Sequence, residues 1–254
     1  MAIAVVAYAL ANIVHEGLGH GGACLALGGR LLAFSAVHAQ CDVAEGAESL
    51  GVMASGTLAN LGAGAGALAA VRMRQAPATK GHYFLWLFMT VNLLQGTGYW
   101  LFSGLANVGD WAQMTAGLDP RWPYRVALTI AGTAGYTSAI ALSLRHLSPI
   151  AGWGPCRSSR ARTLTLVPYV AGGALYVAAG ALNPVSPALV LISAAAASFG
   201  GTSALAWTTR RLDRRRDQPT SDAPLVVERS PAWVAAGVVA ALVFVVLLEP
   251  GIRF

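Results

Sequence analysis

Again and again the chain runs for about 20 residues with scarcely a charge, the length at which an α-helix crosses the hydrocarbon core of a bilayer. Seven such apolar segments can be marked, at 2–28, 49–71, 83–105, 125–144, 163–182, 185–208 and 231–249. In lipid each backbone N–H and C=O has to be paired inside its own segment, so segments of this kind are predicted to be helices. Only 11% of the 254 residues are charged, against about 25% in a soluble domain, and the mean hydropathy is +0.57. The expectation is an all-α, polytopic transmembrane helix bundle of about seven membrane segments.

The loops suggest an orientation. Arg72, Arg74 and Lys80 follow the second segment, Arg145, Arg157, Arg160 and Arg162 the fourth, and Arg210, Arg211, Arg214, Arg215, Arg216 and Arg229 the sixth. Basic residues in alternate loops mark the cytoplasmic side. The opposite loops hold Asp42, Glu45, Glu48, Asp110 and Asp119. The N-terminus is therefore predicted to be cytoplasmic and the C-terminus outside. The net charge of +6 is explained as a topology signal, so no nucleic acid partner is expected. The partner is the lipid bilayer, with an additional contact between Arg210–Arg216 and anionic headgroups. No basic stretch precedes the first segment, which reads as a retained helix rather than a cleaved signal. The compositional bias toward Ala, Gly and Arg suggests a bacterial plasma membrane.

The first segment carries His15-Glu16-Gly17-Leu18-Gly19-His20. Ionisable groups are expensive in a membrane helix and mark function by default. Neutral imidazoles are good zinc ligands, and a neighbouring carboxylate can take a proton from a zinc-bound water. Histidines at i and i+4 would sit about 40° apart on an α-helix, whereas an i,i+5 pair sits about 140° apart. His15 and His20 can share an ion only if a π-bulge absorbs the extra residue, and Gly17 and Gly19 lie in that interval.

A catalytic zinc needs a third protein ligand and an open position. Asp110, Asp42, Glu45, Glu48, Cys24 and Asp119 are the candidates. Asp110 is preferred, because it follows a glycine at the outer end of the third segment, on the side toward which the first segment carries His20. The three cysteines make no disulfide framework. Cys24 and Cys41 can pair if both lie on the oxidising side, and otherwise read as small buried or loop thiols, while Cys156 falls in a basic loop. Tyr83, Trp86, Trp122, Tyr124 and Trp233, near segment ends, read as interfacial anchors.

Three pieces between residues 10 and 115 resemble the site-2 protease family of intramembrane zinc metalloproteases. The helix motif with Gly21, Gly22 and Ala23 behind it resembles the family's H-E-x-G-H, in an H-E-x-x-G-H spacing. Gly56 to Asn60 is similar to its G-x-x-x-N element, and Asn92-Leu-Leu with the later Gly109-Asp110 to its N-x-x-P…D-G region. The resemblance implies zinc on His15, His20 and Asp110, Glu16 as general base, and Asn60 and Asn92 positioning a substrate strand or the oxyanion. It divides the chain into a metalloprotease-like membrane core at 1–124, additional transmembrane helices at 125–212, a polar cytoplasmic linker at 213–230 and a C-terminal transmembrane helix at 231–254.

The expected function is hydrolysis of peptide bonds in a membrane-embedded protein substrate. Two alternatives stand beside it: a non-catalytic scaffold or regulator that keeps the protease-like fold, and a zinc-dependent hydrolase of lipid amides.

Overall fold

The structure is a computed structural model that describes residues 1–73, 79–152, 156–182, 194–209, 225 and 228–254. Helix α1, Ala2–Ala26, opens the chain. Strands β1 (Arg30–Phe34) and β2 (Ala39–Asp42) follow. Helices α2 (Ala47–Met73), α3 (Lys80–Ala106), the short α4 (Asp110–Met114), α5 (Trp122–Ala151) and α6 (Arg157–Leu182) come next. A π-turn at Ala196–Gly200 leads to the short α7 (Ala204–Trp207). Helix α8 (Pro231–Leu248) and strand β3 (Ile252–Arg253) end the chain.

The protein is helical throughout its bulk, and α1, α2, α5, α6 and α8 are long and apolar enough to cross a membrane. Their outward faces carry apolar side chains such as Leu58, Ile130, Val170, Val238 and Leu247, all exposed. Lipid solvates surfaces of this kind, and water does not. Helix α3 differs in kind. It carries Thr90, Asn92, Gln95, Thr97 and Ser103, all buried, alongside Trp86, Leu87, Met89, Val91 and Leu94 at 0–1% exposure. It is the helix that the others enclose. Residues 183–193 (the Asn183-Pro184 junction and the start of the sixth apolar segment), Arg74, the Arg210–Arg216 cluster and most of the 213–230 linker lie outside the described residues.

Polar side chains join the helices in the core, as interhelical hydrogen bonds do in lipid. Asn60 on α2 donates to Gln95 on α3 at 3.4 Å, and Gln95 donates to the Tyr176 hydroxyl on α6 at 3.2 Å. Tyr176 donates to the Tyr8 carbonyl on α1 at 2.9 Å, and the Tyr8 hydroxyl pairs with Thr202 at 2.7 Å. Two aromatic residues expected at the interface are buried instead. Tyr83 donates to the Leu164 carbonyl at 2.8 Å, and the Trp86 indole to the Ser143 carbonyl at 2.9 Å. α5 and α6 extend past the expected ends and cover that end of α3. Trp122 and Tyr124 are exposed.

One feature departs from a pure helix bundle. The three strands form an antiparallel sheet in the order β2-β1-β3, with Leu31 opposite Cys41 and Phe34 opposite both Ala39 and Ile252. Cys24 and Cys41 form a disulfide that fastens the end of α1 to β2, while Cys156 is free and exposed. The two cysteines pair across the turn at Gly28-Gly29, so neither is the loop or core thiol of the simpler expectation. The Asn12 side chain bonds the Ala36 carbonyl and anchors the same hairpin to α1.

Candidate metal centre

In the middle of α1, residues Val14–Gly21 are wound as a π-helix. A π-helix bonds i to i+5, so residues five apart fall one turn on from each other. The Gly22 N–H accordingly bonds the Gly17 carbonyl. The two histidines, which a regular helix would point apart, meet with ring centroids 4.9 Å apart. Both are buried, and so is Glu16 between them at 8% exposure.

The third group arrives by a sharp backbone reversal. α3 ends at Asn107 in the left-handed conformation, and Gly109 follows with φ +88° and ψ −176°, a region essentially confined to glycine. The turn is clamped by the Ser103 hydroxyl donating to the Val108 carbonyl at 2.9 Å. It delivers Asp110, first residue of α4, back against α1. Its Oδ2 lies 3.5 Å from His15 Nε2 and 3.4 Å from His20 Nε2.

Those separations are long for hydrogen bonds and right for a shared ion. Ligands about 2.0–2.1 Å from a tetrahedral zinc stand about 3.3–3.4 Å from each other. The three ligand atoms all lie within 4.8 Å of one another. Asp110 Oδ2 is buried with no hydrogen-bond partner, which a ligated cation would repair.

The surroundings fix which nitrogen faces the site. His20 Nδ1 lies 2.7 Å from the Val52 carbonyl. A carbonyl can only accept, so Nδ1 carries a proton, and in the neutral ring, the form that binds a metal, Nε2 has its lone pair toward Asp110. His15 stacks on the Tyr99 ring at 4.7 Å. Space for an ion comes from α2. A Cβ on Gly56 would stand 2.6 Å from His20 Nε2 and 2.7 Å from His15 Nε2. Only a residue without a side chain leaves that volume open. The donor set, its spacing, the orphaned carboxylate oxygen and the glycine cradle all fit a divalent metal.

The structure thus brings together His15, His20 and Asp110, with Glu16 beside them. Cys24 is committed to its disulfide and supplies no thiolate. Asp42 pairs with Arg30 at 3.3 Å on the surface, and Glu45 and Asp119 are exposed. Asn60 and Asn92 spend their amide N–H groups on Gln95 and on the Phe88 carbonyl, while both of their carbonyl oxygens are buried without partners. Val52, Gly56 and Tyr99 complete the centre. Sequence reasoning missed the roles of Val52 and Tyr99, since a backbone carbonyl has no sequence signature and Tyr99 is one aromatic among many. Searches against protein-family models, curated proteins and solved structures return no match for this chain.

Proposed function

We propose that the protein is an intramembrane zinc metallopeptidase that cleaves peptide bonds of membrane-embedded protein substrates, in the manner of the site-2 protease family it resembles in residues. One observation carries the reading. Two imidazole nitrogens and a carboxylate oxygen stand at metal-ligand spacing inside a helix bundle with lipid-grade outer faces. Such a set is costly to bury without a cation.

His15, His20 and Asp110 would hold the ion. Zinc bound there supplies a Lewis acid that acidifies water and polarises a carbonyl. Glu16 would take a proton from the attacking water and return it to the amide nitrogen that leaves, so acid and base work would fall to one carboxylate. The apolar helices around the site would keep bulk water from the substrate backbone. Asn60 on α2 and Asn92 on α3, whose side-chain carbonyl oxygens are unpaired, would help to position the substrate strand.

The N-terminus is cytoplasmic in this proposal, α3 and the 185–208 segment cross the membrane as well, and the protein sits in a bacterial plasma membrane. The Cys24–Cys41 disulfide supports that orientation, because the positive-inside pattern puts both cysteines on the outer, oxidising face. The test is metal analysis of native protein purified without chelators, together with cleavage of a reconstituted membrane reporter. Near-stoichiometric zinc and cleavage lost in Glu16→Gln support the peptidase. Cleavage retained in Glu16→Gln refutes this mechanism, and native protein without zinc is a scaffold. Zinc with hydrolysis of a lipid amide in place of peptide would make it a lipid hydrolase.

A further inference from the structure

Beside the metal centre lies a cavity of about 440 Å³, lined among others by Trp100, Trp111, Met114, Leu118, Leu128 and Ala131. That volume is in the range of sites that enclose small ligands. Among the described residues no charged one lines it, and its polar groups are mostly spent elsewhere. The Trp111 indole N–H donates to Thr57 at 2.9 Å. The Thr115 hydroxyl, also in the wall, is turned to the carbonyls of Trp111 and Ala112 at 3.2 Å each. The surface left facing the cavity is hydrocarbon and aromatic carbon.

Its position matters more than its size. Trp111 directly follows Asp110, and Trp100 directly follows Tyr99, whose ring stacks on His15. Consecutive Cα atoms are only about 3.8 Å apart, so the cavity wall shares its backbone with one metal ligand, Asp110, and with the ring that backs another, His15. The two indoles meet edge to face at 5.9 Å, and the bond to Thr57, next to Gly56, holds Trp111 in place. The opposite wall comes from α5, where small side chains at Ala127 and Ala131 leave the room open.

We propose that this cavity is the specificity pocket of the site and seats a large apolar side chain of the peptide, Phe or Leu in kind, next to the bond that is cut. The proposal rests on the peptidase reading above. A pocket that can only offer apolar contact discriminates by the area it buries. Removing most of a large side chain from the substrate should cost tenfold or more in kcat/KM.

The experiment uses the full chain, loaded with zinc, in phosphatidylcholine vesicles. Its probes are alanine-leucine membrane peptides whose residue flanking the mapped cleavage point is Phe, Leu or Ala. Wild type is expected to cut the Phe and Leu peptides at least tenfold faster than the Ala peptide. Ala131→Phe, which fills the cavity from an exposed position, should abolish that preference and keep its zinc. Equal cleavage of all three peptides by wild type overturns the pocket while leaving the peptidase in place. A second readout needs no turnover. In Glu16→Gln, a peptide bearing one 4-bromophenylalanine at the flanking position should quench Trp100 and Trp111 fluorescence. The unlabelled Phe peptide should relieve the quenching better than the Ala peptide, and Ala131→Phe should remove it. Quenching of this kind from a wild type that cuts nothing keeps the pocket and overturns the peptidase. Quenching by brominated lipid that no peptide relieves assigns the cavity to acyl chains and overturns the proposal.

Discussion

Oδ2 of Asp110 stands 3.4 Å from Nε2 of His20, whose other ring nitrogen is held by the Val52 carbonyl at 2.7 Å. The imidazole is therefore oriented from behind, by a backbone atom, and presents a lone pair to the carboxylate in front. Ligands held in this way lose little freedom when a cation arrives. Replacing His15, His20 or Asp110 with alanine should reduce bound zinc at least tenfold, as measured by elemental analysis of protein purified without chelators. Glu16→Gln should keep near-stoichiometric metal. Full zinc retention by Asp110→Ala would show that the aspartate is not the third ligand.

Gly56 allows a test that leaves every ligand untouched. A methyl group there would stand 2.6–2.8 Å from atoms of both histidine rings, so Gly56→Ala should exclude the ion or force the rings apart. A Cβ on Gly62 or Gly66, on the same helix, would meet nothing within 4 Å. Alanine at those two positions should leave metal content unchanged and thermal stability equal or slightly raised, since alanine favours the helix by up to about 1 kcal/mol over glycine. Equal zinc in all three variants would mean that the space over Gly56 is not where the metal sits.

How much of this was legible in the letters differs from part to part. The bulge followed from counting, because two histidines five apart on α1 cannot share an ion on a regular helix. Asp110 is singled out by the glycine before it and by its place at the end of the third apolar segment, and the fold sets it against both histidines. Tyr83 and Trp86 misled, since aromatic residues near a segment end look alike whether they face headgroups or, as here, the overlapping ends of α5 and α6. The sheet was hidden for another reason. β1 and β2 have only five and four residues, and β1 is completed by a strand more than 200 residues away, a pairing that local pattern does not encode. The space above Gly56 could be read as a small-residue helix contact, and only the fold shows that it faces two imidazoles.

The disulfide should act on stability more than on chemistry. Closing a loop of 17 residues removes unfolded-state entropy worth about 3 kcal/mol, and here it also fastens β2 to the turn of α1 that follows His20. Cys24→Ser with Cys41→Ser should lower the thermal midpoint of the detergent-solubilised protein by several degrees. Cys156→Ser, at an exposed free thiol, should leave it unchanged. A midpoint that does not move in the double variant would mean that the bond does not form in the native protein.

The π-helix itself can be removed. Leu18 is 70% exposed on the outside of α1, so deleting it sacrifices little packing. Its loss turns the motif into His-Glu-Gly-Gly-His, with the histidines four apart and about 40° from each other on a regular α-helix. A bulge is a local accommodation of one extra residue, and the helix on either side keeps its place when that residue goes. The deletion variant is thus expected to retain zinc within about twofold of wild type and the Cys24–Cys41 bond. Inserting one alanine after Leu18 instead places the histidines six apart, beyond what a single i,i+5 turn can absorb, and zinc should fall at least tenfold. Elemental analysis of the two variants side by side decides it. If the deletion empties the site while the insertion does not, the histidines are brought together by something other than the extra residue in α1.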